Sequence, residues 1–448
     1  MIPIPGVRVL FFHAFLFVCL ALPNEASSLG PAAASLQHIS LLRPISSPYY
    51  PVVIKGRDLP PLLNAAIGKI SLYAFHGAKG MEPIPFQIDR KNMGGEFLIP
   101  DKKAEIDRES KYPMGKYDEL VFMASDTGEQ TLSRPDGLTF SPAVEIELLD
   151  PPSESRRWVY AFILDHESPV TGTPHYVSYQ NRDDVIESET YRVGFSRQTP
   201  LVIDTLIWKG ATPGESSPNL ADKMKARHTG KLFQKLDFVR TEEDSESRLT
   251  AVKQGPVRVI RCTVNRARLI MGLRTPAITI YNIHYANAFF MDTFIEIPFR
   301  IGLFLSDLTT LMTMDGNDGP SVPAYRVYSN SVREGADING RMSVKKKRIN
   351  ASGDQDLVIS STYGKVLVSM DLGKNLPVRY RVYIMDDQSR PDPPENVPGQ
   401  FGNMGFISTG WEKLDASVYH MVFSVYMIRD ISVDQGFDIL QNAPAFVN

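Results

Sequence analysis

The stretch "AVEIELLDPPSESRRWVYAFIL" (residues 143–164) sets the fold class of this chain. Val144, Ile146 and Leu148 alternate with Glu145 and Glu147, the period of two expected of a strand with one buried and one wet face. After a Pro-Pro break, "RWVYAFIL" is again rich in β-branched and aromatic residues. Runs of this kind recur along the chain: "GKISLYAF" (68–75), "DELVFMA" (118–124), "PVRVIRCTV" (256–264), "AITIYNIHY" (277–285), "VRYRVYIM" (378–385) and "YHMVFSVYMI" (419–428). No regular alternation of strands with helices interrupts them. The expectation is a mainly β protein of antiparallel β-sandwich units with one or two short helices.

Helical spacing stands out in "RIGLFLSDLTTLMTMDG" (300–316), where Ile301, Phe304, Leu305, Leu308, Leu311 and Met312 would share one face. A shorter helix is expected in "NLADKMKARHTG" (219–230), capped by Asn219 and stopped by Gly230. "VKKKRIN" (344–350) reads as a hairpin or edge strand guarded by lysines.

At 448 residues the chain exceeds one average domain. Pro-Pro and polar residues in "LLDPPSESRRW" (148–158) place a boundary after residue 150, between an N-terminal β domain (29–150) and a larger β-sandwich domain (151–448). The Pro/Gly-rich "MDDQSRPDPPENVPGQFGNMG" (385–405) is long for a loop between strands, and such loops are often functional or mobile.

The first 28 residues read as a cleaved signal peptide. Arg8 precedes an apolar run from Val9 to Leu22, and Ala26-Ser27-Ser28 offers a small-residue cleavage site. The run is shorter than the ~20 residues a membrane span requires. The expected location is therefore secreted or periplasmic, with no transmembrane span once the signal is removed. Cleavage would leave Cys262 as the one cysteine, buried in a strand and without a disulfide partner. A net charge of −3 gives no basic face for nucleic acid.

Candidate site residues gather in "MEPIPFQIDRKNMGGEF" (81–97) and "GKYDELVFMASDTGEQ" (115–130): Gln87, Asp89, Asp118, Glu119 and Asp126. Gln87 and Asp89 alternate with Phe86 and Ile88, so they share a strand face opposite the apolar one. Asp118 and Glu119 precede an apolar strand and Asp126 follows it. Such positions hold ligand-binding loops, but solvated acids at a strand rim are the plainer reading. Asp126-Thr127-Gly128 matches the tripeptide of aspartic proteases, yet no second Asp-Thr/Ser-Gly exists to share the proton, so a turn explains it better. No metal is expected. Calcium is the ion that "DGNDG" (315–319) would suit, but the EF-hand spacing is absent and turn chemistry accounts for it. The eight histidines form no zinc-binding pattern, and no nucleotide-binding or serine-hydrolase motif occurs.

"PIPFQID", "DELVF" and "QGPVRVIR" (254–261) come one after another in that order. In this the chain resembles secreted bacterial β-sandwich proteins related to exo-acting rhamnogalacturonan lyases, whose N-terminal strand carries a Pro-x-Gln-x-Asp-like motif and a later strand Gly-Pro-Val-Arg. The resemblance rests on three short segments. It implies a carbohydrate-handling surface and carries over no catalytic residue. The expected function is a binding or structural role in the cell envelope or outside the cell, with carbohydrate or another envelope protein as partner. The alternative is a carbohydrate-active enzyme, a polysaccharide lyase or glycosidase.

Overall fold

A computed structural model describes residues 37–443, apart from 44–48, 101–104, 106–107, 134, 136–139, 151–152, 169–174, 211–213 and 269–273, and apart from the side chains of 140–143. The proposed signal segment lies outside these residues. Leu36–Asn448 group as one compact unit.

The described residues are mainly β, as the alternation predicts, and form five sheets. The largest has nine strands in the order Ser245–Gln254, Val259–Ala267, Ile278–His284, Ala288–Ile297, Ser417–Ile428, Gly364–Asp371, Leu357–Ser361, Arg326–Ser329 and Val332–Asp337. Every pairing in it is antiparallel. One face packs against a four-stranded sheet (Val177 to Trp208) and a five-stranded sheet built on Ala221–Leu232, Leu305–Gly316 and Gln400–Thr409. The other face, with Ile260, Cys262, Tyr281 and Tyr426, is covered by Tyr50, Phe97, Val121 and Met123 and by the C-terminal helix Val433–Asn442.

Those covering residues belong to a smaller sandwich. Its three-stranded sheet pairs Pro51–Lys55 and Gln87–Asp89 with the central strand Glu119–Met123. Val52, Ile54, Leu120 and Phe122 from this sheet meet Leu72, Val144, Ile146 and Val159 from a five-stranded partner sheet. The boundary expected after residue 150 falls inside a hairpin: Phe140–Leu149 pairs antiparallel with Arg156–Leu164. The small sandwich therefore continues to Leu164. Glu145 and Glu147, on the strand face expected to be wet, are buried.

Three local expectations are corrected. Residues 305–316 form a strand, not a helix. The pairing register with Ala221–Leu232 slips between Thr229 and Lys231, and Asp307 sits at φ 54°. That bulge inserts one residue, so Leu305 and Leu308 mimic helical spacing before the period of two resumes at Thr310, Met312 and Met314. "NLADKMKARHTG" is likewise strand, since Met224 and Ala226 alternate with Lys225 and Arg227. "VKKKRIN" is helix Val344–Ser352, capped where Ser343 Oγ accepts from Lys346 N–H and ended by Gly353 at φ 80°. Its Lys346 is buried against Asp386.

The Pro/Gly-rich loop is tied down. Lys225 Nζ lies 2.9 Å from Glu395, and Arg227 donates to the carbonyl oxygens of Asp392 and Pro393. No helix among the described residues is long and apolar enough to cross a membrane.

Candidate functional site

The register Gln87↔Val121, Ile88↔Leu120 and Asp89↔Glu119 puts Gln87, Asp89 and Glu119 on one face of the three-stranded sheet. That face is not a solvated rim. It turns toward the nine-stranded sheet, and Gln87, Asp89, Asp118 and Glu119 are all buried. What Gln87, Asp89 and Glu119 meet is the "GPVR" turn, residues 255–258.

Arg258 is 1% exposed and uses its guanidinium in three directions. Nε donates to Asp89 at 2.7 Å, Nη2 to Glu119 at 2.8 Å and Nη1 to the Tyr285 hydroxyl at 2.9 Å. Its backbone N–H donates to Gln87 Oε1, and the Gln87 amide donates to Asp89 at 2.9 Å. Lys253 completes the second oxygen of Asp89 at 2.9 Å and also pairs with Glu109. Lys91 holds the second oxygen of Glu119 at 2.9 Å, its ammonium 4.2 Å from the centre of the Phe97 ring. Asp118 accepts the backbone N–H groups of Gly115 and Lys91 and so fixes the turn into the central strand.

Burial alone would push both carboxyls up. For Asp89, Lys253 and Arg258 outweigh burial and hold it at about 2. Lys91 and Arg258 likewise keep Glu119 below the usual carboxylate range. Three cations thus face Asp89, Glu109 and Glu119 across the junction. Acids so firmly ionised are poor proton donors, so the cluster locks two layers together and is not an acid–base pair.

Asp126 stands apart. The strand Glu119–Met123 separates it from the other four, and Ala124–Asp126 is a 3-10 turn, as the turn reading expects. The turn is closed by Thr127 Oγ1 donating to Ala124 O, while the Asp126 carboxylate accepts from the Tyr176 hydroxyl at 2.5 Å. Burial, opposed by that hydrogen bond, raises the Asp126 carboxyl to about 6.

Beside the ionic junction opens a polar cleft of about 290 Å3. Glu119, Arg258 and Tyr285 line it where it meets the junction; Lys55, Arg57, Lys91 and Tyr117 line it as well. The loop Asn92–Glu96, in which Gly95 takes φ 89°, contributes another part of the wall. His420 Nε2 pairs there with Asp292, and the imidazole stacks on Phe294 with ring centres 4.3 Å apart. Lys55 is held below its ordinary value by burial, then by the like charges of Arg57 and Lys91. A cationic excess there favours an anionic guest.

Of the five residues singled out from sequence, only Glu119 lines this cleft. Lys55, Arg57, Lys91, Asp292 and His420 went unrecognised because no local motif marks them. Arg258 did carry a signal: it is one of two charges, with Arg261, set inside the largely apolar strand run "PVRVIRCTV". Among the described residues no group of three His, Cys, Asp or Glu side chains is spaced to hold a metal ion, and Asp315 of the "DGNDG" loop is engaged by Lys225 at 2.6 Å. No protein-family model matches the chain, and no curated protein matches it at a significant level.

Proposed function

We propose that this is an exported protein that binds acidic carbohydrate in the cleft between the small sandwich and the nine-stranded sheet. The observation that carries the reading is the crowding of Lys55, Arg57 and Lys91 around one cleft walled by aromatic rings. A uronate carboxylate would relieve the repulsion among these cations, and the sugar's C–H faces would pack against Tyr117 and Tyr285. Calorimetric titration with oligogalacturonate tests it. The wild type should bind, binding should weaken as salt rises, and Lys55→Ala with Arg57→Ala should weaken it about tenfold or more. Equal binding of neutral oligosaccharides, or no loss in the double variant, would remove the reading.

One observation favours a second reading, a polysaccharide lyase. His420, oriented by Asp292, lies in the same cleft as the cations that would neutralise a uronate. In that reading the imidazole takes the proton α to the carboxylate. The C–H electron pair forms the new C=C bond, and the glycosidic oxygen leaves with its bonding pair and takes the proton back from the imidazolium. Ultraviolet absorbance from the unsaturated product, absent in His420→Ala, distinguishes lyase from binder.

A further inference from the structure

The space between the nine-stranded sheet and the five-stranded sheet that faces it is not filled. Two apolar cavities of about 150 and 230 Å3 lie there, and Met224 and Met312 line both. Protein interiors normally leave few voids larger than a water molecule, and these two open partly toward solvent, so a guest can reach them. An apolar cavity of roughly 150 Å3 already admits benzene. Methionine, unbranched and polarizable, suits a wall that adapts to a guest.

The larger cavity adjoins an unusual tip. Phe233 and Gln234 occupy the two central positions of a turn closed by Lys235 N–H on Leu232 O, with φ of 51° and 60°. Asn-Gly is the pair that suits such a turn, and a bulky side chain there is strained. The strain presents Phe233 to solvent at 55% exposure, beside Phe304 at 42%, Phe299 at 44% and Leu303 at 66%. Phe304 packs edge-on against both other rings, 6.2 Å from Phe233 and 5.3 Å from Phe299. The chain neighbours of this patch, Ile301 and Leu305, line the larger cavity. So do Arg240 and Arg266, and Arg240 Nε is buried without a hydrogen-bond partner.

We propose that the sandwich interior binds one aliphatic chain with an anionic head, a fatty acid, which enters at the aromatic tip. Its methylenes lie along Met224 and Met312, and its carboxylate meets Arg240 and Arg266. Strained exposed phenylalanines, unfilled apolar space and an unpaired guanidinium nitrogen are all accounted for by that one guest.

Titration of the full chain with dansyl-labelled undecanoate, displaced by dodecanoate, tests the proposal. The expected result is saturable binding of one probe per chain, a melting temperature raised by dodecanoate, and weaker displacement by dodecanol. Met312→Phe narrows both cavities and should reduce binding about tenfold or more while the chain stays folded. Absence of binding in the wild type, or unchanged binding in Met312→Phe, overturns the proposal. Phe233→Asn with Gln234→Gly installs the residues the turn prefers, so it should fold. Transfer of the probe from phosphatidylcholine vesicles should slow in that variant, and an unchanged rate overturns entry at the tip. Oligogalacturonate should not displace the probe, which keeps this result separate from the cleft.

Discussion

Arg258 and Asp89 are 169 residues apart in sequence, yet the Arg258 Nε lies 2.7 Å from the Asp89 carboxylate and both side chains are sealed from solvent. The pair joins the nine-stranded sheet to the small sandwich. Removing one member measures how much the junction depends on the other. Arg258→Met should destabilise the fold by about 3–5 kcal/mol, because Asp89 and Glu119 would lose a shared cation while staying buried. Urea unfolding checks this: a lower midpoint with an unchanged slope is expected.

Gly255→Ala should be costly for a different reason. A Cβ at Gly255 would stand 2.0 Å from Gln87 Oε1 and 2.3 Å from its Cδ, so Gln87 would have to abandon Asp89 and the Arg258 N–H. The expected loss is about 1–3 kcal/mol. Gly255→Ala combined with Gln87→Ala should recover part of it, measured by the same unfolding curves.

Acidification should unfold the protein in two stages. His284 is wholly buried; burial, then Arg261, lowers it to about 3. Its folded value lies below its unfolded one, so its contribution is present above about pH 6.5 and is lost as pH falls through about 3. Asp89, held at about 2, contributes above about pH 4, and that part is lost as pH falls through about 2. The Asp89 part amounts to about 2 kcal/mol. His284→Gln should flatten the stability profile between about pH 6 and pH 4, as read from thermal melts.

Asp126 has the opposite sign. Its folded value, about 6, lies above its unfolded one, so its contribution is present below about pH 4 and disappears as pH rises through about 6. Asp126→Asn keeps an acceptor for the Tyr176 hydroxyl and removes the buried charge. The variant should be as stable as wild type or more so near pH 8, and this advantage should shrink as pH falls and vanish at about pH 4. A lower melting temperature near pH 8 would show that the carboxylate is needed in ionised form.

Cys262 is 7% exposed and burial raises its thiol. A thiol reagent should label the native protein slowly and the urea-unfolded protein at once. Fast native labelling would place the Val259–Ala267 strand at the surface.

The sheet architecture was legible because Val, Ile, Tyr and Phe alternate with polar residues strand after strand, a signal that survives any sheet order. It misled where a bulge at Asp307 shifted the phase, and where the lysines of 344–350 concealed a cap at Ser343. Shared placement of Gln87 and Asp89 followed from the period of two, while Glu119 joins them only through the pairing register. Their burial did not, since the sequence around them holds no sign of cations that arrive from positions 253 and 258. Neutralising one of these acids would for that reason destabilise rather than relieve repulsion. The cleft was invisible in sequence: its residues come from widely separated segments and meet only through sheet stacking.

In "VRVIRC" two arginines stand three positions apart, an odd spacing that sends them to opposite faces of one extended run. Arg258 clasps the small sandwich, while Arg261 forks onto Asp184 of the four-stranded layer, with Nε 2.8 Å from its carboxylate. During synthesis, residues 1–250 emerge with Asp89, Glu119 and Asp184 still lacking these counter-charges. A nascent chain halted there has no route to the finished junctions, and a few further residues deliver both clasps together. The two clasps therefore depend on one short run of sequence, and both close only after residue 261 has emerged.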